Sequence, residues 1–375
     1  MNNSQIYRIR NRNSSILNFY FDRITSLFIK SKPSNILNPK KILFIRNDHL
    51  GDMVYSLSAF KAVKKKYPDA KISVIATASN RDFIEKDKNV DEIIEIDLFW
   101  RRISLKAWLD YIKVFRKIRK ENFDVGIDLR RSIFNLLFLL YFPNVKNRIS
   151  YYNINCGKAF LTHPLEYKER MHVIKEHIQT VNQAFNLNVK DFMPKISVSK
   201  EDIKEKNDFI KKNNIRKYVV FAPGATLESK KWPAEKFKDL IINFHKKYPS
   251  HKIVLTGAKS DSNLLNWLAN SGKEFCVPLI NFNLRSLSII FRNADLVVAN
   301  DGVATDITWV SGGRLVELSG PVDRDIWGPF KNTKIIYHEL KDKKDNNPYN
   351  YGKELMALIT VDEVMDAINN FMKKR

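Results

Sequence analysis

A chain of 375 residues, 44% of them hydrophobic, is long enough for two domains and too apolar to be disordered. Its 64 Lys and Arg against 41 Asp and Glu leave a formal charge of +23, spread along the chain, which points to nucleic acid, an anionic membrane surface or an anionic small substrate. Two distant cysteines, Cys156 and Cys276, exclude a disulfide framework and make a reducing, cytoplasmic setting the expectation, and the scattered histidines give no zinc spacing.

Residues 1–40 read as a basic amphipathic arm. Leu17, Tyr20, Phe21, Ile24, Leu27 and Phe28 recur at helical spacing, with Arg8, Arg10, Arg12, Arg23, Lys30 and Lys32 around them. Such a helix can lie in a membrane interface or pack on the body of the protein. No stretch approaches the roughly 20 apolar residues that span a bilayer, and no signal peptide is expected.

From Lys41 the pattern alternates. Strand Lys41–Ile45 leads to a helix over Met53–Lys66, then strand Lys71–Thr77, a helix near Arg81–Lys86 and strand Asp91–Asp97. A helix over Leu105–Glu121, strand Phe123–Leu129 and a helix over Arg131–Phe142 follow, after which 143–170 reads as irregular. A helix spans His172–Leu187 and another Lys200–Lys212. The alternation then restarts: strand Lys217–Pro223, helix Ala234–Tyr248, strand Lys252–Ala258, helices over 262–272 and 283–294, strand Asp295–Asp301, a helix over 304–313, strand Arg314–Pro321, and a closing helix over 361–374. Apolar strands alternating with helices predict parallel sheets covered on both faces. The expected division is an arm (1–40), a first α/β domain (41–195) and a second (196–375).

Ligands of such sheets bind beyond the carboxyl ends of the strands. The informative stretches are therefore RNDHLGDM (Arg46–Met53), PGATLESKKWP (Pro223–Pro233), TGAKSD, ANDGVATD and LSGPVDRDIWGPF. The absence of GxGxxG argues against a dinucleotide redox cofactor, and the absence of GxxxxGK[ST] excludes a P-loop. Glycine-bearing turns that open helices, with Lys230 and Lys231 beside one of them, suit a diphosphate-containing ligand in the second domain.

RNDHLGDMVYSLSAFKAVKKKYPDAKISVIA resembles the N-terminal signature of glycosyltransferase family 9, the ADP-heptose:lipopolysaccharide heptosyltransferases. FDVGIDLRRS, MHVIKEH, PGATLESKKWPAEKF, LTGAKSD, NADLVVANDGVATDITWVSG and LSGPVDRDIWGPF resemble its later motifs, in order, over roughly 41–330. The resemblance implies the GT-B fold, α/β with two Rossmann-like domains facing across a cleft. The second would bind the nucleotide sugar and the first the acceptor, and the last helix often crosses back. It also implies an inverting transfer that needs no metal or cofactor.

By the same resemblance, Asp52 is the catalytic base, against a reading from spacing alone as a helix N-cap. Gly51 would allow close backbone approach or a positive-φ turn. Asp48 and His49 are acceptor-side contacts at most, otherwise exposed turn residues. Lys230, with Lys231 as the neighbouring alternative, would neutralise the departing diphosphate. Gly224, Ala225 and Thr226 would line the phosphate side. Asp261 falls where the family carries a longer Glu on the nucleotide ribose. Asp301 matches the family's Asp after its strand, but Gly302 is displaced by one, and Asp306 stands in place of the family's His. Thr305 and Asp306 are therefore where donor recognition would differ, since an ionised Asp cannot donate a hydrogen bond. Gly320, Pro321 and Asp323 would border the donor site, with Trp327 and Gly328 shaping it.

The expected function is heptose transfer from a nucleotide-diphosphate donor, ADP-heptose, to the lipopolysaccharide core. It would take place in the cytoplasm or at the inner face of the inner membrane, with contact to an anionic glycolipid and none to nucleic acid. The alternatives are another nucleotide sugar with an O-antigen, capsule or protein acceptor, and a non-catalytic polyanion-binding protein.

Overall fold

The computed structural model describes residues 12–96, 105–152, 156–167, 169–191, 193–340 and 348–373. They divide between two compact units, Met1–Ser197 and Val198–Arg375. Arg8, Arg10, Asp97 and Lys374, named above, lie outside the described residues.

The first unit runs α1 (Arg12–Phe28), β1 (Lys41–Ile45), α2 (Leu50–Lys66), β2 (Lys71–Ala76), α3 (Ala78–Ile84), β3 (Glu92–Glu95), α4 (Leu105–Glu121), β4 (Val125–Asp128), α5 (Ile133–Asn135), β5 (Asn147–Tyr151), β6 (His163–Leu165) and α6 (Val173–Phe185). The second runs α7 (Lys200–Lys212), β7 (Tyr218–Ala222), α8 (Ala234–Lys247), β8 (Lys252–Gly257), α9 (Ser262–Asn270), β9 (Cys276–Ile280), α10 (Leu284–Asn293), β10 (Val297–Asn300), α11 (Val303–Val310), β11 (Leu315–Leu318), α12 (Arg324–Trp327), β12 (Thr333–Ile336), α13 (Gly352–Leu358) and α14 (Val361–Met372).

Each unit is a six-stranded parallel sheet, ordered β3-β2-β1-β4-β5-β6 in the first and β12-β11-β10-β7-β8-β9 in the second. Counted from its own first strand, each has the doubly wound Rossmann order. The central strands are buried on both faces, so they read as unbroken apolar runs: Ile42, Leu43, Phe44 and Ile45 of β1 have no exposed surface. Ile42 sits in register with Ile72 and Val125, and Val297 with Leu315 and Val220.

Several expectations are corrected. Residues 143–170 are not irregular but hold β5 and β6. Strand β5 reads NRISY, and its polar residues are satisfied internally. Buried Arg148 donates to the carbonyls of Phe160 and Val145, each at 2.7 Å. The pattern also missed β9 and β12, the edges of the second sheet. Pro278 within β9 reads as a breaker, yet an edge strand tolerates it because one side needs no ladder bond. The helix expected over Arg131–Phe142 is a single α-turn followed by a π-helix, Leu136–Tyr141.

The closing helix α14 packs on its own unit, placing Val364, Met365, Ala367 and Ile368 in a core with Trp232, Phe237 and Val316. The helix α1 is docked on the first unit. The Asp22 carboxylate accepts the Gly157 N–H at 2.5 Å and the Lys158 N–H at 3.1 Å.

Candidate functional site

In both sheets the strand order reverses between the first and fourth strands of the unit, and ligands of doubly wound sheets bind at that reversal. It falls between β1 and β4 in the first unit and between β7 and β10 in the second. The residues leaving those four strands are Arg46–Asp48, Leu129–Arg131, Pro223–Gly224 and Asp301.

In the first unit the chain leaves β1 with Arg46 and Asn47 buried, passes half-buried Asp48 and exposed His49, and enters α2. The N-cap is His49, whose side chain makes no capping bond, and the helix begins at Leu50 rather than Met53. Asp52 therefore does not cap the helix. It is the third residue of the first turn, where the positive end of the helix dipole favours a carboxylate. Gly51 is a helical residue and not among the glycines of positive φ, so the positive-φ turn does not form.

Asp52 Oδ1 lies 2.6 Å from Arg46 Nη2. Arg46 Nε lies 3.2 Å from Asp48 Oδ1, and Arg46 Nη1 donates to the Leu129 carbonyl at 2.6 Å. One buried guanidinium thus ties the ends of β1 and β4 to both carboxylates. Asp48 is correspondingly not an exposed turn residue. Burial raises the Asp52 carboxyl above its ordinary value; the Arg46 charge opposes the rise and the Asp48 charge adds to it.

Beneath this pair the end of β4 is held rigidly. Asp128 accepts the N–H groups of Arg130 at 3.1 Å and Ser132 at 2.8 Å, and Asn135 Nδ2 at 3.2 Å. Asn135 and Asn47 exchange side-chain hydrogen bonds at 3.2 and 3.1 Å. Burial pushes Asp128 up to about 6, against those donors. Arg131, at φ 60°, pairs with buried Glu176 of α6 at 2.9 Å. His177, fully buried beside it, is held neutral: burial first, then the Arg46 charge, lowers it well below the usual imidazole range. The stretches RNDHLGDM, FDVGIDLRRS and MHVIKEH, which carry the resemblance without roles for most of their residues, converge here.

In the second unit Lys230 and Asp301 form an ion pair at 2.6 Å, their side chains 20% and 11% exposed. Burial disfavours the lysine's charge, but the Asp301 carboxylate outweighs it and raises Lys230 above its ordinary value. Lys231, also half-buried, pairs instead with exposed Glu228 at 2.5 Å. The structure thus separates the two neighbouring lysines.

The loop that carries Lys230 is pinned from both ends. Asn300, the last residue of β10, accepts the Trp232 N–H at 3.2 Å and donates to the Pro223 carbonyl at 2.7 Å. Methyl groups built on Gly320 and Gly352 would meet the Ser229 carbonyl at 3.3 and 2.5 Å, so both glycines let neighbouring backbone close on the residue before Lys230. Pro321 packs in the same place, its Cγ 3.0 Å from the position a Gly352 methyl would take.

The remaining candidates do local work. Asp261 accepts the Ala258 N–H at 3.0 Å and lies where methyl groups on Gly224 or Gly257 would meet it at 2.5 and 2.9 Å. Ala225 and Thr226 follow on the loop, half-buried and exposed. Gly302, at φ 155°, is the N-cap of α11, and Thr305 closes the cap by accepting the Gly302 N–H at 3.1 Å. Asp306, half-buried on the first turn, adds negative charge felt by Lys230 and Glu317.

Glu317 was missed by the sequence reading. It sits on β11 opposite Ala299 of β10, is 2% exposed, and is raised well above the ordinary carboxyl value by burial, then by Asp301 and Asp306. A charged residue inside an otherwise apolar strand was the available signal. Arg46 and Asn300 carried a weaker one, each lying at the end of a buried strand at a sheet reversal. Among the described residues no group of three or more His, Cys, Asp or Glu side chains is arranged to hold a metal ion.

Comparison with known proteins adds three kinds of likeness. The sequence model of glycosyltransferase family 9 (heptosyltransferase) matches residues 111–351. That span takes in Lys230 and Asp301 and begins after Asp52. The chain is 22% identical over 356 residues to lipopolysaccharide heptosyltransferase 2 of Salmonella typhimurium, covering 89% of this chain and 99% of that protein. The solved ADP-heptose lps heptosyltransferase II of E. coli superposes with a TM-score of 0.70 at 20% identity, covering 89% of this chain and 99% of that one. A glycosyl transferase family 9 structure from Veillonella parvula does so with a TM-score of 0.74 at 18% identity, covering 92% and 100%.

Proposed function

The chain belongs to glycosyltransferase family 9, with the GT-B fold of two Rossmann-like units, and on that footing we propose that it moves a heptose from a nucleotide-diphosphate donor, ADP-heptose, to a lipopolysaccharide core acceptor. The acceptor hydroxyl gives its proton to Asp52 as its oxygen bonds to the anomeric carbon. The bond from that carbon to the diphosphate oxygen breaks on the opposite side, the nucleoside diphosphate leaves, and the configuration inverts. Lys230 meets the charge that grows on the leaving diphosphate and, in this reading, does so in place of a metal. The observation that carries the proposal is a buried carboxylate, Asp52, held by Arg46 at the sheet reversal of the first unit. A basic lysine at the corresponding reversal of the second unit supports it.

The acceptor is an anionic glycolipid, met at the cytoplasmic face of the inner membrane, and the net charge of +23 suits it. A second reading keeps the chemistry and changes the substrates to another nucleotide sugar with an O-antigen, capsule or protein acceptor. The acidic surroundings of Lys230 favour it, because Asp301, Asp306 and Glu317 crowd one cation where the family presents a His.

Transfer assays with ADP-heptose, UDP-sugars and GDP-sugars on a lipopolysaccharide core acceptor, with Asp52→Asn as control, test both readings. Transfer from ADP-heptose alone, lost in the variant, is expected. Transfer from UDP- or GDP-sugars instead replaces the first reading with the second. Near wild-type transfer by the variant removes Asp52 as the base.

A further inference from the structure

We propose that the first unit carries a membrane-docking face, built from the outer side of α1 and an aromatic ladder next to it, and that its partner is an anionic lipid bilayer surface. The helix α1 is already docked by one side. Phe21 stacks on Phe160 at 6.2 Å, Asp22 holds the Gly157 and Lys158 N–H groups, and Ile29 packs against the unit's core. At 3.6 residues per turn these positions share one face. Yet the adjacent face, about 100° wide, carries Tyr20, Ile24, Leu27 and Phe28, which are 56%, 56%, 72% and 81% exposed. The packed side rests on Phe21, itself 36% exposed, and on Asp22, so the larger apolar face of α1 is the one turned to solvent.

Beyond α1 a run of ring contacts leads from buried Phe160 to a second pair of exposed aromatic side chains. Phe160 touches Tyr141 at 4.8 Å, Tyr141 touches Phe142 at 5.4 Å, and Phe142 touches Phe138 at 5.5 Å, which stacks on Phe134 at 5.6 Å. Phe142, at the end of the π-helix, and Phe134, on the turn before it, are 49% and 45% exposed. Rings with half their surface in water suit the headgroup level of a bilayer, where one side stays wet and the other dry.

Charge selects the occupant. Arg23 falls on the third face of α1, bordering the exposed stripe, and Lys30 and Lys32 follow past the end of the helix; Lys158 lies over the Tyr152 ring at 4.5 Å, and all four are exposed. The acids of the region are engaged within the protein: Asp22 on backbone N–H groups and Asp110 on Lys113 at 3.4 Å. An apolar stripe edged by the exposed Arg23, Lys30 and Lys32 matches an anionic interface. Among the described residues no helix is long and apolar enough to cross a membrane, so the contact is peripheral. This inference rests on the reading of a lipid-linked acceptor.

The test is flotation of the full chain with phosphatidylcholine vesicles, with and without phosphatidylglycerol. Wild type should bind the anionic vesicles, less so at high salt. Leu27→Ser/Phe28→Ser should lower the partition coefficient by roughly tenfold or more, from lost apolar insertion. Arg23→Glu/Lys30→Glu, which leaves the packed face untouched, should lose the preference for phosphatidylglycerol even if the first variant folds poorly. Wild type that ignores anionic vesicles, or two variants that bind like wild type, overturns the proposal. So does sedimentation showing that the variants convert a dimer to a monomer without changing vesicle binding. Transfer to a deacylated, water-soluble acceptor should be unchanged in both variants. Its absence in wild type, with vesicle binding intact, would count against the transferase reading and leave the docking face standing.

Discussion

Arg46 and Asp52, six residues apart across a strand-to-helix turn, meet at 2.6 Å with both side chains nearly out of water. The same guanidinium serves Asp48 and the end of β4. Removing it leaves buried Asp52 without its cation and Asp48 with only Arg130, at 3.8 Å, and a buried charge that loses its partner is costly. Arg46→Gln should therefore destabilise the protein by about 3–5 kcal/mol in urea unfolding. In the surviving folded fraction, the acid limb of kcat/KM should move to higher pH. With Asp52 as the proposed base, wild-type activity is expected to fall away already above the range of an exposed Asp, because burial raises Asp52 and a protonated base cannot accept a proton. Loss of the Arg46 charge raises it further, and a limb that moved to lower pH would exclude Asp52 as the titrating base.

Lys230 and Lys231 are adjacent in sequence and differ in partner, half-buried Lys230 with Asp301 and Lys231 with exposed Glu228. Lys230→Met removes a cation held at the sheet reversal and should lower kcat by about 10²–10³-fold. Lys231→Met removes a partner of exposed Glu228 and should leave kcat within roughly twofold. Equal losses in both variants would show that the loop, rather than one charge, is what transfer requires.

Asn300 binds both ends of the Lys230 loop, from the Pro223 carbonyl to the Trp232 N–H. Asn300→Ala leaves both groups buried without a partner, at a cost of about 1–3 kcal/mol. It should lower kcat as well, since Lys230 then lacks a fixed position. Unfolding curves and steady-state rates on one preparation check the two effects together.

Glu317 gives the second unit a pH-dependent weakness. Unfolded, it ionises near 4.5; folded, burial and the Asp301 and Asp306 charges hold its proton to a higher pH. The unfolded state thus loses its proton first as pH rises, so this group's contribution to stability declines from about 4.5 upward. Glu317→Gln cannot ionise. Its melting temperature should match wild type near pH 4 and exceed it increasingly toward pH 8. A constant difference across that range would mean that Glu317 is already ionised in the folded protein.

Local patterns carried a large part of this. The runs KILFI, KISVIAT, KYVVFAP and DLVVAND, short, unbroken and alternating with helical patterns, argued for strands covered on both faces. That alone placed RNDHLGDM, PGATLESKKWP and ANDGVATD beyond strand ends, where ligands of such sheets bind. It could not find β5, whose Arg148 and Asn147 are buried only because carbonyls and side chains distant in sequence receive them. Nor could it find β9, where an edge position excuses Pro278.

The sequence by itself determined two successive α/β units with parallel strands, the stretches that form their binding ends, and the residue types present there. Hydrophobic period and turn chemistry are properties of neighbouring residues, so they can be read along the chain. Only the tertiary structure decided how those residues combine: that Asp52 is held by Arg46 and does not cap a helix, that Lys230 rather than Lys231 meets Asp301, and that Glu317 lies buried beside them. Pairings of charge across strands depend on sheet order and on exclusion of water, and neither is written in the spacing of residues along one strand.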